Sequence, residues 1–258
     1  MDSDLEAADD HRLARLLATR AGELLLALRA SWEGEAVDLK NAGDARSHEY
    51  LMAELARLRP ADAVLSEEGA DDLARLDAER VWIVDPLDGT REFGERPRDD
   101  WAVHVALWER GELVAGAVAR PARGDVLSTE EPPTRPTGVP DPIRLAVSRT
   151  RPPAFVTALA ERLGAELVPM GSAGIKATAV LDGTVDAYVH AGGQYEWDSA
   201  APVAVVTATG LHASRIDGSP LQYNRKDPLL PDLLIARPEI AERLLATIAD
   251  LARAEAEA

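Results

Sequence analysis

The stretch "VWIVDPLDGTREF", residues 81–93, runs from a continuous apolar segment into a turn that carries Asp85 and Asp88. A buried strand that surfaces on two like charges needs a cation, a proton or water to make them tolerable, because a buried carboxylate loses its hydration. Four chemistries compete for the pair. An EF-hand loop requires oxygen ligands at alternate positions and a closing Glu at the twelfth, and Asp85-Pro86-Leu87-Asp88 breaks that spacing at its first step. A haloacid-dehalogenase-type phosphatase needs a nucleophilic Asp two residues before the Asp of D-G-T, and position 86 is Pro. Solvated carboxylates at a loop tip are the third reading. The fourth is a multinuclear Mg²⁺ site, in which one Asp bridges two ions about 3.5–4 Å apart and the repulsion between the acids is balanced.

Further acids favour the fourth. Glu67 and Glu68 close the strand-like "VLSEEG", and Asp198 in "EWDSA" stands where a helix begins. Asp85 is placed to bridge, Asp88 to bind one ion, and the Leu87 carbonyl, exposed by the turn after Pro86, to bind another. Ligands drawn from separate strand and helix ends are how a scaffold builds a convergent site. The other Asp-Gly pairs, Asp182-Gly183 and Asp217-Gly218, read as ordinary turn signals. His48, His104, His190 and His212 show no metal-ligand spacing and read as structural or surface residues. Trp82, Trp101 and Trp108 sit in strand patterns and read as core.

The elements that must position these residues follow from periodicity. Leu13, Leu16, Leu17, Ala21, Leu24, Leu25 and Leu28 recur at threes and fours and predict an amphipathic helix over 5–30. A second helix is expected over 46–59, ending before Pro60. "AVLSEEG" and "VWIVD" read as strands that deliver acids at their C-terminal ends. Residues 101–130 alternate around Arg110-Gly111 and Arg123-Gly124, as in an antiparallel meander. Residues 131–142, with five prolines, read as a loop or lobe boundary. Beyond them, strands at 143–148, 165–169, 185–190 and 232–236 alternate with helices at 152–163, 174–182, 197–208 and 238–255. The whole reads as an α/β or α+β protein of two lobes, 1–135 with most of the acidic cluster and 142–258 with the last acid.

Composition limits the partners. At 258 residues and 46% apolar content the chain can bury an enzyme-sized core, and a net charge of −17 argues against a nucleic-acid polymer as ligand. There is no cysteine, hence no disulfide and no thiolate nucleophile. The acidic N-terminus "MDSDLEAADDHR" lacks the character of a secretory signal, and the longest uncharged stretch, Ser199 to Ser214, is short for a membrane span and holds Pro202 and Gly210. A soluble, cytoplasmic protein without a membrane partner is the expectation.

"VLSEE", "WIVDPLDGT", "GSAGIKATAVLDG" and "WDSAAP", in this order, resemble the motifs of the inositol monophosphatase superfamily of Mg²⁺-dependent, lithium-sensitive phosphatases. The likeness spans nearly the whole chain and is strongest to the actinobacterial CysQ-type 3'(2'),5'-bisphosphate nucleotidases. It implies a layered α-β-α-β-α sugar-phosphatase-like fold. It also implies that Glu67, Asp85 and the Leu87 carbonyl hold a first Mg²⁺, that Asp85, Asp88 and Asp198 hold a second, and that a third, weaker ion uses Glu67 and water. Asp44 in "NAGDARS" matches the family's water-orienting Asp, with Thr90 as its partner, and the amides of Gly89 and Thr90 add an anion pocket if they open a helix.

The resemblance narrows the substrate to a small-molecule phosphate ester: 3'-phosphoadenosine 5'-phosphate, an inositol phosphate or fructose bisphosphate. Ser148 and Arg149, in "VSRT", match a nucleotidase motif in part. Lys176 falls where nucleotidases commonly carry Lys, either to meet a second phosphate or as a solvated helix residue. Gly171, Ser172 and Gly174 contact substrate or simply cap a helix. Tyr223 and Asn224 reach a base or finish a hairpin, and Glu196 supports the site or faces water. The leading expectation is hydrolysis of the 3'-phosphate to give AMP, recycling a by-product of sulfate transfer. Inositol monophosphate or fructose bisphosphate hydrolysis is the alternative, and an inactive metal-binding regulatory homologue the remote one. Homodimers are usual in the superfamily, though some nucleotidases are monomeric.

Overall fold

In the computed structural model, which describes residues 3–138 and 141–256, the apolar stripe expected near the N-terminus lies against a sheet. The predicted helix is divided: a single turn, α1 (Ser3–Glu6), precedes α2 (Asp10–Ser31), because Asp9 accepts the Arg12 N–H at 2.9 Å and starts the longer helix afresh. α3 (Ala36–Leu58) begins ten residues before the expected position 46. Asn41, Gly43 and Asp44 are poor helix formers, and packing outweighs them: Leu39, Gly43, Ser47, Leu51 and Leu55 form one buried face.

β1 (Ala63–Ser66) pairs in parallel with β2 (Arg80–Asp88), and a short helix, α4 (Thr90–Gly94), follows the D-G-T turn. The predicted meander is β3 (Ala102–Glu109), β4 (Glu112–Arg120) and β5 (Asp125–Ser128), giving the sheet order β1-β2-β3-β4-β5. β2 alternates between two buried faces: Trp82 and Val84 join α2 and α3, whereas Val81 and Ile83 face the other way. A strand covered on both sides reads as a continuous apolar run, which is the texture of "VWIV".

Of the proline-rich segment, residues 139 and 140 lie outside the described residues, as do the ends of the two expected lobes at 1–2 and 257–258. The second half builds β6 (Arg144–Ser148), α5 (Ala154–Leu163), β7 (Glu166–Met170), α6 (Ala173–Thr178), β8 (Ala187–Tyr195), α7 (Glu196–Ala208), β9 (His212–Ser214), β10 (Leu229–Ala236) and α8 (Pro238–Ala256). Its sheet has the order β7-β6-β8-β10-β9, and the short β9 has no counterpart in the predicted elements. α6 is shorter than expected, ending at Thr178. α6 and α7 fill the space between the sheets, with Ile175, Ala201 and Val205 packed beside Ile83, Val118, Leu233 and Ile235. α5 and α8 cover the far face of the second sheet through Val156, Leu159, Ile240 and Leu244. Helices, sheet, helices, sheet and helices therefore form five layers, and α7 packs on both sheets.

Candidate active site

The acidic turn is positioned by a break in the first sheet. The β2–β3 ladder is regular up to Asp85 opposite His104 and resumes at Asp88 opposite Ala102, so a step of three residues on β2 meets a step of two on β3. The irregularity falls at Pro86, which has no N–H for the ladder. Gly89 then takes a left-handed conformation (φ 85°) that a side chain would disfavour, and turns the chain into α4. α3 approaches from the side. A Cβ on Gly43 would come within 2.8 Å of the Phe93 ring and 2.9 Å of Leu87, so only glycine lets the helix come this close. Its next residue is Asp44, and one turn on, Ser47 Oγ donates to the Pro86 carbonyl at 2.7 Å.

Asp85, Asp88 and Asp198 each offer an oxygen, and these oxygens lie within 4.8 Å of one another. Asp85 is buried and accepts a hydrogen bond from Leu87 N–H at 3.0 Å. Among the described residues no Arg or Lys pairs with it. Burial, then Glu67, Asp88 and Asp198, push its acid well above the usual range. Glu67 stands at the exposed mouth of the site; loss of hydration on its inner side and repulsion from Asp198 raise it to about 7. Asp198, in the first turn of α7, is raised to about 6 by burial and by Asp88, although Tyr195 N–H donates to it at 2.7 Å. Asp88 is the exception. Burial alone would raise it, but His104 and the donors of Ser172 and Gly174 hold it well below the carboxylate range.

Those donors come from the start of α6. Ser172 Oγ, Ala173 N–H (3.0 Å) and Gly174 N–H (2.6 Å) all donate to Asp88, while Ser172 Oγ also accepts from Ile175 N–H and caps the helix. His104 Nε2 approaches Asp88 at 3.2 Å and Nδ1 lies 3.1 Å from the Trp197 carbonyl; burial would lower this imidazole, and Asp88 raises it overall. The structure thus ties His104 to the acidic cluster rather than leaving it in a plain structural role. The signal lay in "WAVHVALW", where alternation puts His104 on the same inward face as Ala102 and Ala106. An all-oxygen cluster with three acids held above their normal range carries charge that its own protein leaves unbalanced, and this donor set fits a hard divalent cation.

Thr90 Oγ1 lies 3.1 Å from the Leu87 carbonyl and 3.3 Å from Asp44 Oδ1, so its hydroxyl bridges the turn and α3. Asp44 is half-buried, and burial followed by the nearby Glu68 raises it to about 6. A carboxylate in that range can take up a proton near neutral pH.

A cavity of about 580 Å³ adjoins the acids, and Gly89, Thr90, Ser148, Arg149, Gly171, Ser172 and Lys176 all line it. Arg149 spends its guanidinium on Glu92 (2.8 Å) and Glu95 (2.6 Å). Lys176 is buried rather than solvated; Nζ donates to the Ser172 carbonyl at 2.7 Å and lies 5.4 Å from the Tyr188 ring centre. Burial lowers its pKa, against the pull of Asp88 and Glu92. Sequence reasoning missed two further lining residues: His190 Nε2 and Gln194 Oε1 are buried without a hydrogen-bond partner. Tyr223 and Asn224 lie elsewhere: both are buried, Tyr223 Oη sits 3.1 Å from Ser199 Oγ, and Asn224 is bonded to Arg75. Neither lines the cavity, which removes them as candidates to read a base. Glu196 is buried and binds backbone amides, so it does not face water.

Comparison with known proteins places this geometry. The sequence profile described as the inositol monophosphatase family matches residues 10–253. A Mycobacterium bovis protein named 3'-phosphoadenosine 5'-phosphate phosphatase is 55% identical over 239 residues, covering 89% of this chain and 90% of its own length. A Mycobacterium leprae protein of the same name is 51% identical over 255 residues, 94% of each chain. Among solved structures, CysQ from Bacteroides thetaiotaomicron, described as a bacterial member of the family, is similar at a TM-score of 0.73 and 27% identity, covering 87% of this chain and 96% of that one. The profile match over nearly the full length and the shared five-layer fold make this chain a member of the inositol monophosphatase family.

Proposed function

We propose that the chain is a phosphomonoesterase that removes the 3'-phosphate of 3'-phosphoadenosine 5'-phosphate and releases AMP. The observation that carries this reading is the 55% identity, over 89% of the chain, to a relative named for that activity. The site's construction agrees: a cluster of acids at Asp85, Asp88 and Asp198, in which Asp85 is left short of positive charge, adjoins a cavity lined by Lys176, Arg149 and Arg151.

The residues divide the work. Glu67, Asp85, Asp88, Asp198 and the Leu87 carbonyl would hold Mg²⁺, two or three ions in this reading. Bound there, Mg²⁺ lowers the pKa of water and balances charge on the phosphoryl oxygens. Thr90 orients the attacking water by its hydroxyl and passes its proton toward Asp44, 3.3 Å away. Ser172, Ala173 and Gly174 fix Asp88, and Gly171, whose N–H is held by Asp100, borders the reacting phosphate with Ser172. Lys176 has two N–H donors left after its bond to the Ser172 carbonyl, and the Arg151 guanidinium, at the cavity edge, is in no ion pair among the described residues. They take the second, non-reacting phosphate, which an inositol monophosphate lacks. Gln194 Oε1 and His190 Nε2 are left for hydrogen bonds to the nucleoside.

The test is the kcat/KM of the purified chain for 3'-phosphoadenosine 5'-phosphate, inositol 1-phosphate and fructose 1,6-bisphosphate, with Mg²⁺ and with chelator. Preference for the nucleotide of about tenfold or more, a 1.4 kcal/mol difference, and loss of phosphate release with chelator are expected. A preference for inositol 1-phosphate, or turnover indifferent to chelator, overturns it.

A further inference from the structure

Asp198 and Glu67 repel each other, and they come from different elements: Glu67 follows β1 and Asp198 lies in the first turn of α7. Between the segments that carry them runs a buried polar strut outside the cluster. Arg75 lies in the 3-10 turn Leu73–Asp77, just beyond the loop that carries Glu67 and Glu68, and is 1% exposed. Its Nε and Nη2 bind the Asp71 carboxylate at 2.6 and 2.9 Å, its Nη1 binds Asn224 Oδ1 at 2.6 Å, and Nη2 also reaches the Arg225 carbonyl at 2.9 Å. Asn224 Nδ2 returns a bond to the Arg75 carbonyl at 3.2 Å. The next link is Glu196, also 1% exposed, whose two oxygens accept the Asn224 and Arg225 N–H groups at 2.7 Å each. Glu196 N–H in turn donates to Pro228 at 2.8 Å. Two residues on is Asp198.

We infer that Arg75, Asn224 and Glu196 are positioning residues that hold Asp198 against Glu67 and thereby set the affinity of the acidic site for a divalent cation; the inference rests on the metal-site reading above. The strut touches no reacting atom. It runs without a gap from Asp71, on the loop after β1, to the first turn of α7, and joins positions 75 and 224 that no shared strand or helix connects. Asn224 has a left-handed backbone (φ 57°), which costs a non-glycine residue energy and persists here because its N–H and both ends of its amide are engaged. If the two acids drift apart when the link is cut, the ion site built on Glu67 and the one built on Asp198, which share Asp85, lose their relative spacing, and a divalent cation is bound less tightly. Turnover of the fully loaded site changes little, because the atoms around the phosphate stay in place.

Calorimetric titration of Mg²⁺ into metal-free wild type, Asn224→Gly and Asn224→Asp separates this role from general stabilisation. Glycine keeps the left-handed backbone and deletes both side-chain bonds; aspartate keeps an acceptor facing Arg75. The expected result is about tenfold weaker Mg²⁺ binding in Asn224→Gly, kcat at saturating Mg²⁺ within about twofold of wild type, and substantial recovery of affinity in Asn224→Asp. A folded Asn224→Gly protein that binds Mg²⁺ as tightly as wild type overturns the inference. If that variant does not fold, Asp71→Asn, at the exposed end of the strut, must weaken Mg²⁺ binding in the same direction, and unchanged affinity there overturns it equally. A wild-type protein that binds no divalent cation in the calorimeter defeats the metal-site reading itself, which is a different result from a variant that matches the wild type.

Discussion

Asp85 and Asp186 are both buried aspartates, at 1% and 0% exposure, and the chain treats them in opposite ways. Asp186, just before β8, is saturated by its own protein: Arg144 supplies Nη2 at 2.9 Å, Nε at 3.1 Å and its backbone N–H at 2.9 Å, and Arg237 adds Nη2 at 2.9 Å. Asp85 receives one backbone N–H and is surrounded by other acids. Fold-keeping carboxylates are completed from within the chain. A buried carboxylate left short of positive charge marks a place completed from outside it.

Removing each charge in turn should break the comparison in opposite directions. Asp85→Asn is expected to lower kcat on the order of 10³-fold or more, the scale on which preorganised charge stabilisation acts, while the metal-free protein melts no lower than wild type because a repelled charge has been deleted. Steady-state phosphate release and a thermal melt in chelator measure both. A drop in the metal-free melting temperature would mean that Asp85 is held by the fold after all. Asp186→Asn should do the reverse: it leaves the buried Arg237 guanidinium, and the partly exposed one of Arg144, short of an anion and costs about 3 kcal/mol in urea unfolding, with kcat of the folded fraction kept within about twofold. A variant of wild-type stability, or one with kcat lost in proportion, would remove the distinction.

The two aspartates were not equally legible. Asp85 and Asp88 stand in a short contiguous motif, and Glu67 and Asp198 close recognisable segments, so residue type and order located the cluster. The helices and strands near it emerged from their apolar periods, because burial on one face is written into neighbouring residues. Asp186 gives no such sign: its partners Arg144 and Arg237 are remote in sequence and belong to pairings decided by sheet topology. The same holds for His104 against Asp88 and for Asn224 against Arg75. α3 hid its first ten residues because Gly43, a poor helix former, is there for contact with Leu87 and Phe93, and that demand becomes visible only when the motif loop is seen packed on the helix.

The finest separation of the two kinds of acid is by pH. Glu67 (about 7), Asp44 and Asp198 (each about 6) lie above the value near 4 expected of carboxylates in the unfolded chain. Between roughly pH 4 and 7 the metal-free fold therefore holds protons that the unfolded chain has released, and its stability falls as pH rises through that window. His104, also raised, adds to the fall; His190 and His212, lowered by burial, oppose it near pH 6.5. Acids of the other kind act below the window: Asp100, where Arg98 and the Gly171 N–H outweigh burial, contributes stability that is lost only as pH drops below about 4. Urea midpoints at constant ionic strength should thus be higher at pH 5.5 than at pH 8 in chelator. Saturating Mg²⁺ should flatten or reverse the slope, since a bound cation replaces the protons and stabilises the folded form most where the acids are ionised. A metal-free protein more stable at pH 8 than at pH 5.5 would show that the cluster is balanced from within, as Asp186 is, and would erase the difference between the two sites.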